Sequence, residues 1–202
     1  MAYVLGFFAA DGYITINKRG GHFFSFQIKE RDILVKFRKL LGSEHKIAER
    51  NQKLGRTYRL QIGSKEICED LAKLGLGEQK TFRLVIPKMP NICLPHFIRG
   101  YFDGDGNVWT GLVHKERKTM TQVISSGFTS GCGSFLSGLR LALNSLGLGD
   151  GTMYKGANYY RLTYSINDSL RLYNVMYSCY PNGDLFLSRK RKVFEKFIKM
   201  QR

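Results

Sequence analysis

The chain has 202 residues, 43% of them hydrophobic, which is enough for one large domain or two small ones with a buried core and excludes a disordered chain. Thirty-two Lys and Arg stand against 16 Asp and Glu, a formal net charge of +16; a compact body with that excess repels itself unless a polyanion shares the charge, so nucleic acid is the first partner class and an anionic membrane surface the second. The longest apolar runs, such as residues 3–10, fall short of the roughly 20 residues that span a bilayer, and no basic segment precedes that run as in a secretion signal, so an intracellular protein (bacterial cytoplasm or organelle matrix) is expected.

In chain order, an apolar run ending in Asp-Gly comes first, VLGFFAADG at residues 4–12. Two strand patterns follow. Ile14 and Ile16 alternate with Thr15, Asn17 and Arg19; Phe24, Phe26 and Ile28 alternate with Ser25, Gln27 and Lys29. A helix, FRKLLG, ends on Gly42. A third alternation sets Tyr58, Leu60 and Ile62 against Thr57, Arg59 and Gln61, and the helical KEICEDLAKLG and the segment EQKTFRL (78–84) come next. Pro87, Pro90 and Pro95 make IPKMPNICLP the natural linker, because proline breaks helix and sheet alike. Beyond it a second Asp-Gly run, IRGYFDGDG, fills residues 98–106. Residues 107–130 alternate poorly; then come a helix (LALNSLG), a strand (YYRLTYSI), a helix (NDSLRLYNVMY) and the basic SRKRKVF at 188–194.

These segments repeat in order. The two Asp-Gly aspartates, Asp11 and Asp105, are 94 residues apart, the Tyr-Arg-Leu strands 102 and the lysines Lys80 and Lys190 110. The inferred unit is α-β-β-α-β-β-α, present twice, which makes an α+β fold with pseudo-twofold symmetry: residues 1–86, a linker at 87–95, and residues 96–202. Period two gives each strand one apolar and one polar face. The apolar face needs helices to cover it. The polar face carries Arg, Lys, Gln, Asn and Thr, which hold phosphates and read base edges. One such strand is equally a solvated sheet face; several together in a chain of this charge point to DNA.

Cys68, Cys93, Cys132 and Cys179 form no C-x-x-C pair, and His22, His45, His96 and His114 form no close pair. Reduced thiols are therefore expected, and any metal should be a hard one held by carboxylates. The segment from Asp103 fails as an EF-hand loop, since Val108 stands where Gly is required and His114 where Glu is required. Gly6, Ala9, Ala10, Gly100 and Gly104 are small enough for two helices to approach closely. Two aspartates brought together at such helix ends repel, and a divalent cation relieves this.

Both Asp-Gly segments resemble the LAGLIDADG motif, and with the repeat the resemblance covers essentially the whole chain. VLGFFAADG sets Gly6 at the family's glycine and Asp11 at its second acidic position; IRGYFDGDG sets Gly100 and Asp105 there, with Asp103 at the first acidic position. Ala9 replaces an acid that is not a metal ligand in the family, and Arg99 occupies a position usually apolar or small. The resemblance implies a single-chain homing endonuclease, a monomer whose two halves form a DNA-binding β-saddle with the motif helices at their interface (Gly6, Ala9, Gly100, Gly104). It implies a metal site at Asp11 and Asp105 with Ala10 and Gly104, occupied by Mg²⁺, with Mn²⁺ or Ca²⁺ able to take the same place. Lys80 and Lys190 would stabilise charge on the phosphate. Glu30 would order the nucleophilic water, with Ser130 as its divergent counterpart. DNA contacts are expected from Thr15, Asn17, Arg19, Ser25, Gln27, Lys29, Arg50, Arg59 and Gln61, and from Trp109, Thr121, Ser125, Lys155, Arg161 and Thr163. The implied target is duplex DNA of roughly 20 bp, two turns at ~10 bp per turn, non-palindromic and cut in both strands across the minor groove to leave short 3′ overhangs. An intron-encoded gene is implied as well. An RNA-binding maturase acting on intron RNA and a catalytically silent DNA-binding regulator use the same scaffold. The Met-Ala start and Met-Gln-Arg end lack the Cys or Ser and the His-Asn of a splicing intein.

Overall fold

A computed structural model of the chain describes residues 1–52, 55–77, 83–113, 120–178 and 185–201. It is a mixed α+β fold with two four-stranded antiparallel sheets. The first Asp-Gly run forms α1 (Ala2–Asp11), followed by β1 (Tyr13–Ile16), β2 (His22–Ile28), α2 (Arg31–Leu40), β3 (Ile47–Gln52), β4 (Gly55–Gly63) and α3 (Lys65–Lys73). A short 3-10 turn at Asn91–Cys93 leads into α4 (Leu94–Asp105), then β5 (Gly106–Val113), β6 (Thr121–Ser130), α5 (Gly133–Ser145), β7 (Thr152–Lys155), β8 (Tyr160–Tyr164), α6 (Ile166–Tyr177) and α7 (Ser188–Met200). Two compact units divide the chain, Met1–Gly104 and Asp105–Arg202.

Each element follows from its residues. α1 is apolar nearly all round, the pattern of a helix buried on every side, and Tyr3, Val4, Gly6, Phe7, Phe8 and Ala9 are indeed buried. α2 buries one stripe, Ile33, Leu34 and Phe37, and leaves Arg31, Asp32 and Lys39 in solvent. α3 begins at Ser64, whose hydroxyl accepts from the Ile67 amide at 3.2 Å, and its last turn runs out at Gly75, which takes the left-handed φ of 79° that stops a helix. In the first unit the helices cover a core of aromatic rings set edge to face: Phe26 and Phe37 centroids are 4.9 Å apart, Phe7 and Phe37 5.2 Å, Phe8 and Phe26 5.5 Å. Such pairs add about 0.5–1.5 kcal/mol each beyond the area they bury. In the second unit Phe128, Phe135, Leu136, Leu139, Leu162 and Phe194 are fully enclosed.

The strand orders are β1-β2-β4-β3 and β5-β6-β8-β7. The registers correspond as well. Tyr13 faces Ser25, which faces Gln61; Asn107 faces Gly127, which faces Thr163. Arg59 lies between Gln27 and Ala48; Arg161 lies between Thr129 and Tyr154.

Three expectations need correction. The helix carrying the second Asp-Gly starts at Leu94, so Pro95 belongs to its first turn and not to a linker; proline's missing N–H has no helical partner there in any case. The first strand stops at Ile16, which is 46% exposed, because β1 is an edge strand with little above it, and Asn17 and Arg19 lie in the following turn. The helix read at residues 37–42 starts six residues earlier, at Arg31. α7 closes the second unit, whereas its expected counterpart at 78–84 lies mostly outside the described residues.

Candidate nucleic-acid interface and metal centre

Glycine is what lets α1 and α4 touch. A Cβ on Gly6 would collide with the carbonyl of Phe97, and one on Gly100 with the carbonyl of Tyr3 and, at 2.8 Å, the amide of Phe7. The two backbones are therefore in direct contact. Further along, a Cβ on Gly104 would strike the side chain of Ala10 and lie 3.3 Å from Asp11 Oδ2. Ala9 is buried in α1.

Polar groups sealed between these helices hold the pair in register. The Tyr3 hydroxyl donates to Asp103 Oδ2 at 2.7 Å, and Asp103 is only 1% exposed. The Arg99 guanidinium sits 5.4 Å above the Tyr3 ring and donates to His96 Nδ1 at 2.9 Å. This explains a buried arginine at a position usually small: a π-face and an imidazole nitrogen receive its charge. Burial, and then the charge of Arg99, push the His96 pKa down, which keeps the ring neutral and able to accept. The Tyr3–Asp103 and Arg99–His96 pairs were not read from the sequence: Tyr3 and Asp103 lie on different helices and carry no signal until those dock, and His96 and Arg99 sit three residues apart on α4, a spacing too common to mark a pair.

Asp11 is the exposed last residue of α1, and Asp105 the half-buried last residue of α4. Helix C-termini carry partial negative charge, and neither helix has a basic residue in its last turn. A carboxylate at such an end calls for a cation. Among the described residues no group of three or more His, Cys, Asp or Glu could hold a metal. A hard divalent ion that keeps several waters needs few protein ligands, and a carboxylate such as Asp11 or Asp105 is of the donor type it takes.

Lys80 lies outside the described residues. Lys190 does not belong to a uniformly solvated cluster: Arg189 and Lys192 are exposed, but Lys190 is 6% exposed and donates to the Gly106 carbonyl at 2.6 Å. Gly106 is the first residue of β5, directly after Asp105. Glu30 is the half-buried N-cap of α2, and its carboxylate makes no capping bond. Its counterpart needs correction. Ile28 pairs with Tyr58 as Ser130 pairs with Tyr160, so Ser130 matches Ile28, and Cys132, the N-cap of α5, matches Glu30. Ser130 instead accepts from the Cys132 amide at 3.1 Å.

Strand parity sorts the predicted contacts. Phe24, Phe26, Leu60 and Ile62 are buried toward the helices, so Thr15, Gln27, Arg50, Arg59 and Gln61 lie on the open face of the first sheet, with Lys29 just beyond the end of β2. Ser25 shares that face but is 0% exposed, covered where Arg59 Nη2 reaches its hydroxyl at 3.4 Å, so it orients Arg59 instead of facing solvent. Asn17 Oδ1 accepts from the amides of Arg19 and Gly21 at 3.0 and 2.8 Å, so its carbonyl builds the turn. In the second unit Ile124, Phe128 and Leu162 point to the helices, which leaves Trp109, Thr121, Ser125, Arg161 and Thr163 on the open face. Lys155 is on the other face. It pairs with Tyr160, and its ammonium lies 5.9 Å from that ring. The open-face position of β7 belongs to Tyr154, 56% exposed, which the sequence reading missed although the alternation of TMYK around an inward Met153 points to it. Asn107 was also missed; its Oδ1 is buried and has no protein partner. The matched arginines share a feature: Arg59 Nε and Arg161 Nε are buried without a hydrogen-bond partner.

Comparison with known proteins gives a family match for the first part of the chain. Residues 1–75 match the LAGLIDADG-like domain family. A stretch of 110 residues, 54% of this chain, is 34% identical to part of the replication factor C small subunit of Methanocaldococcus jannaschii, of which it spans 6%. The likeness in fold covers nearly the whole chain. The LAGLIDADG meganuclease I-AabMI bound to uncleaved DNA aligns with a TM-score of 0.64 and 17% identity over 98% of this chain and 88% of that one. The homing endonuclease I-SmaMI bound to cleaved DNA aligns with a TM-score of 0.66 and 14% identity over 98% and 87%. I-SmaMI bound to uncleaved target in the presence of calcium ions aligns at 0.62, over 99% and 91%. Residues 1–75 thus match a LAGLIDADG-like domain, and the chain as a whole shares the fold of these solved structures.

Proposed function

We propose that the chain is a site-specific double-stranded DNA endonuclease that hydrolyses one phosphodiester bond in each strand of a long, non-palindromic target, cutting across the minor groove and leaving short 3′ overhangs. The observation that carries this reading is the position of the two aspartates. Each ends a motif helix, and each is followed at once by the first strand of a sheet with an open polar face. DNA seated on those faces would present its backbone to the carboxylates.

Asp11 and Asp105 would hold the cation, with Ala10 and Gly104 beside them. Bound Mg²⁺, or Mn²⁺ or Ca²⁺ in its place, supplies an activated water and a counter-charge for the leaving oxygen. Lys190 fixes the Gly106 carbonyl and with it the start of β5 beside Asp105. Lys80 and Lys190 add positive charge near the phosphate. Glu30 orders water in the first half, where Cys132 offers no carboxylate in the second, so the two strands are cut at different rates. Arg59 and Arg161 present guanidinium groups on the open faces to acceptors on the DNA. The protein acts as a monomer inside the cell, encoded within an intron.

The test is cleavage of a randomised duplex library with Mg²⁺, beside Asp105→Asn and Asp11→Asn. Sequence-specific double-strand breaks should appear with the parent chain and fall by at least roughly 10²–10³-fold in either variant, while salt-dependent duplex binding survives. Tight, magnesium-independent binding to DNA or to intron RNA without any cleavage would overturn the nuclease reading in favour of a regulator or a maturase.

A further inference from the structure

Because the two sheets share one register, their open faces can be compared row by row. Gln27 in the first sheet corresponds to Thr129 in the second, since each is the β2 or β6 neighbour of the matched arginine, Arg59 or Arg161. Gln61 corresponds to Thr163, since each lies one row further along, opposite Ser25 or Gly127. Both amides of the first unit are therefore threonines in the second. The edge strand changes in the same sense at one row and in the opposite sense at the row before it, where Tyr13 corresponds to Asn107. Thr15, opposite Phe23, corresponds to Trp109, opposite Ser125, and the Trp109 ring is 51% exposed. Ala48 beside Arg59 corresponds to the exposed Tyr154 beside Arg161.

The chemistry of base edges makes this a difference in sequence preference. An amide pairs with adenine through its exocyclic amine and N7, and a guanidinium pairs with guanine through O6 and N7. A threonine methyl or an aromatic ring has no such paired geometry, but packs against the C5 methyl of thymine. Gln27 is also held in place: its amide donates to the Thr57 hydroxyl at 3.4 Å, which itself donates to the Arg50 carbonyl at 3.4 Å. Resting on the endonuclease reading above, we infer that the two half-sites are of different kinds: at Gln27, Arg59 and Gln61 the first unit reads purines through hydrogen bonds, and at Thr129, Thr163, Trp109 and Tyr154 the second reads thymines through their methyl groups, with Arg161 its one guanidinium and Asn107 its one amide among the described open-face residues.

The experiment starts from the target selected by the library and replaces bases one half-site at a time. Uracil for thymine removes only the methyl. In the half bound by the second unit it should weaken binding by about fourfold for each methyl lost, the worth of one buried methylene, and leave the first half unaffected. 7-Deazaadenine removes only N7 and should weaken binding at the base pairs that Gln27 and Gln61 face in the first half, and not at those that Thr129 and Thr163 face in the second. The half-sites are assigned by a Thr129→Gln/Thr163→Gln variant, which should shift library selection from thymine toward adenine at the base pairs those positions face. These residues lie on an open sheet face, and thermal melting checks that the variant stays folded. Equal tolerance of uracil in both halves, or a loss confined to the first, would overturn the inference while leaving the nuclease intact. Selection of no specific duplex would instead remove the endonuclease reading itself.

Discussion

At the scale of single residues, burial changes the meaning of several side chains. Lys190 looks from its neighbours like one of a run of solvated cations, yet its ammonium is enclosed and holds the Gly106 carbonyl. Lys190→Met should therefore cost about 1–3 kcal/mol of stability, the range for a charge-assisted bond whose acceptor is left buried; urea denaturation checks this, and a solvated lysine would move the result by less than ~0.5 kcal/mol. His96 gives a pH dependence. Its folded pKa is lowered by burial and by Arg99, whereas the unfolded chain titrates near 6.5. The folded state thus binds the proton less readily, so stability is complete above pH ~6.5 and is lost as pH falls through the lower folded value. Melting temperatures at pH 7.5 and 5.5 should differ more in the parent chain than in His96→Gln, which keeps an acceptor for Arg99 but does not titrate. Lys155 shows the limit of reading residues singly. It is a base in a basic chain, and only its pairing with Tyr160 reveals that it lies on the face away from the other contacts.

At the scale of elements, the two motif helices make the strongest demand on sequence. Gly6 and Gly100 each abut a backbone carbonyl, which cannot swing aside as a flexible side chain can. Gly6→Ala or Gly100→Ala should destabilise by about 1–3 kcal/mol or more through overpacking, lowering Tm by roughly 2–4 °C per kcal/mol for a chain of this size. A drop of that size in differential scanning calorimetry is the expected result; an unchanged Tm would mean the backbones are not in contact. The small residues were legible as a close-approach signal. Their partners were not, because Phe97, Tyr3 and Phe7 are ordinary apolar residues until two helices meet. Strands were legible where one face is buried and the other is not, as in β2 and β4. They were poorly legible in β5 and β6, where Thr110 faces the core side and donates to the Val123 carbonyl at 2.9 Å while Val123 lies on the open side.

At the scale of the whole molecule, charge sets how the chain meets its partner. With a net charge of +16, binding to non-specific duplex should fall steeply with salt. A protein that neutralises six to ten phosphates loses roughly 10³–10⁵ in affinity between 50 and 200 mM salt. Fluorescence anisotropy across that range measures the slope, and a flat response would argue against a phosphate-tracking surface. The amino-acid sequence by itself determined the repeat, the order of elements, the pair of Asp-Gly helices and the excess of base, because each is written in local periodicity or in composition. Only the tertiary structure decided that Tyr3 serves Asp103, that Lys190 serves the start of β5, that Cys132 and not Ser130 stands opposite Glu30, and that Tyr154 and not Lys155 faces outward. Those outcomes depend on strand register and helix docking. Both are set by contacts between residues far apart in the chain, and a one-residue shift turns every side chain of a strand to its other face.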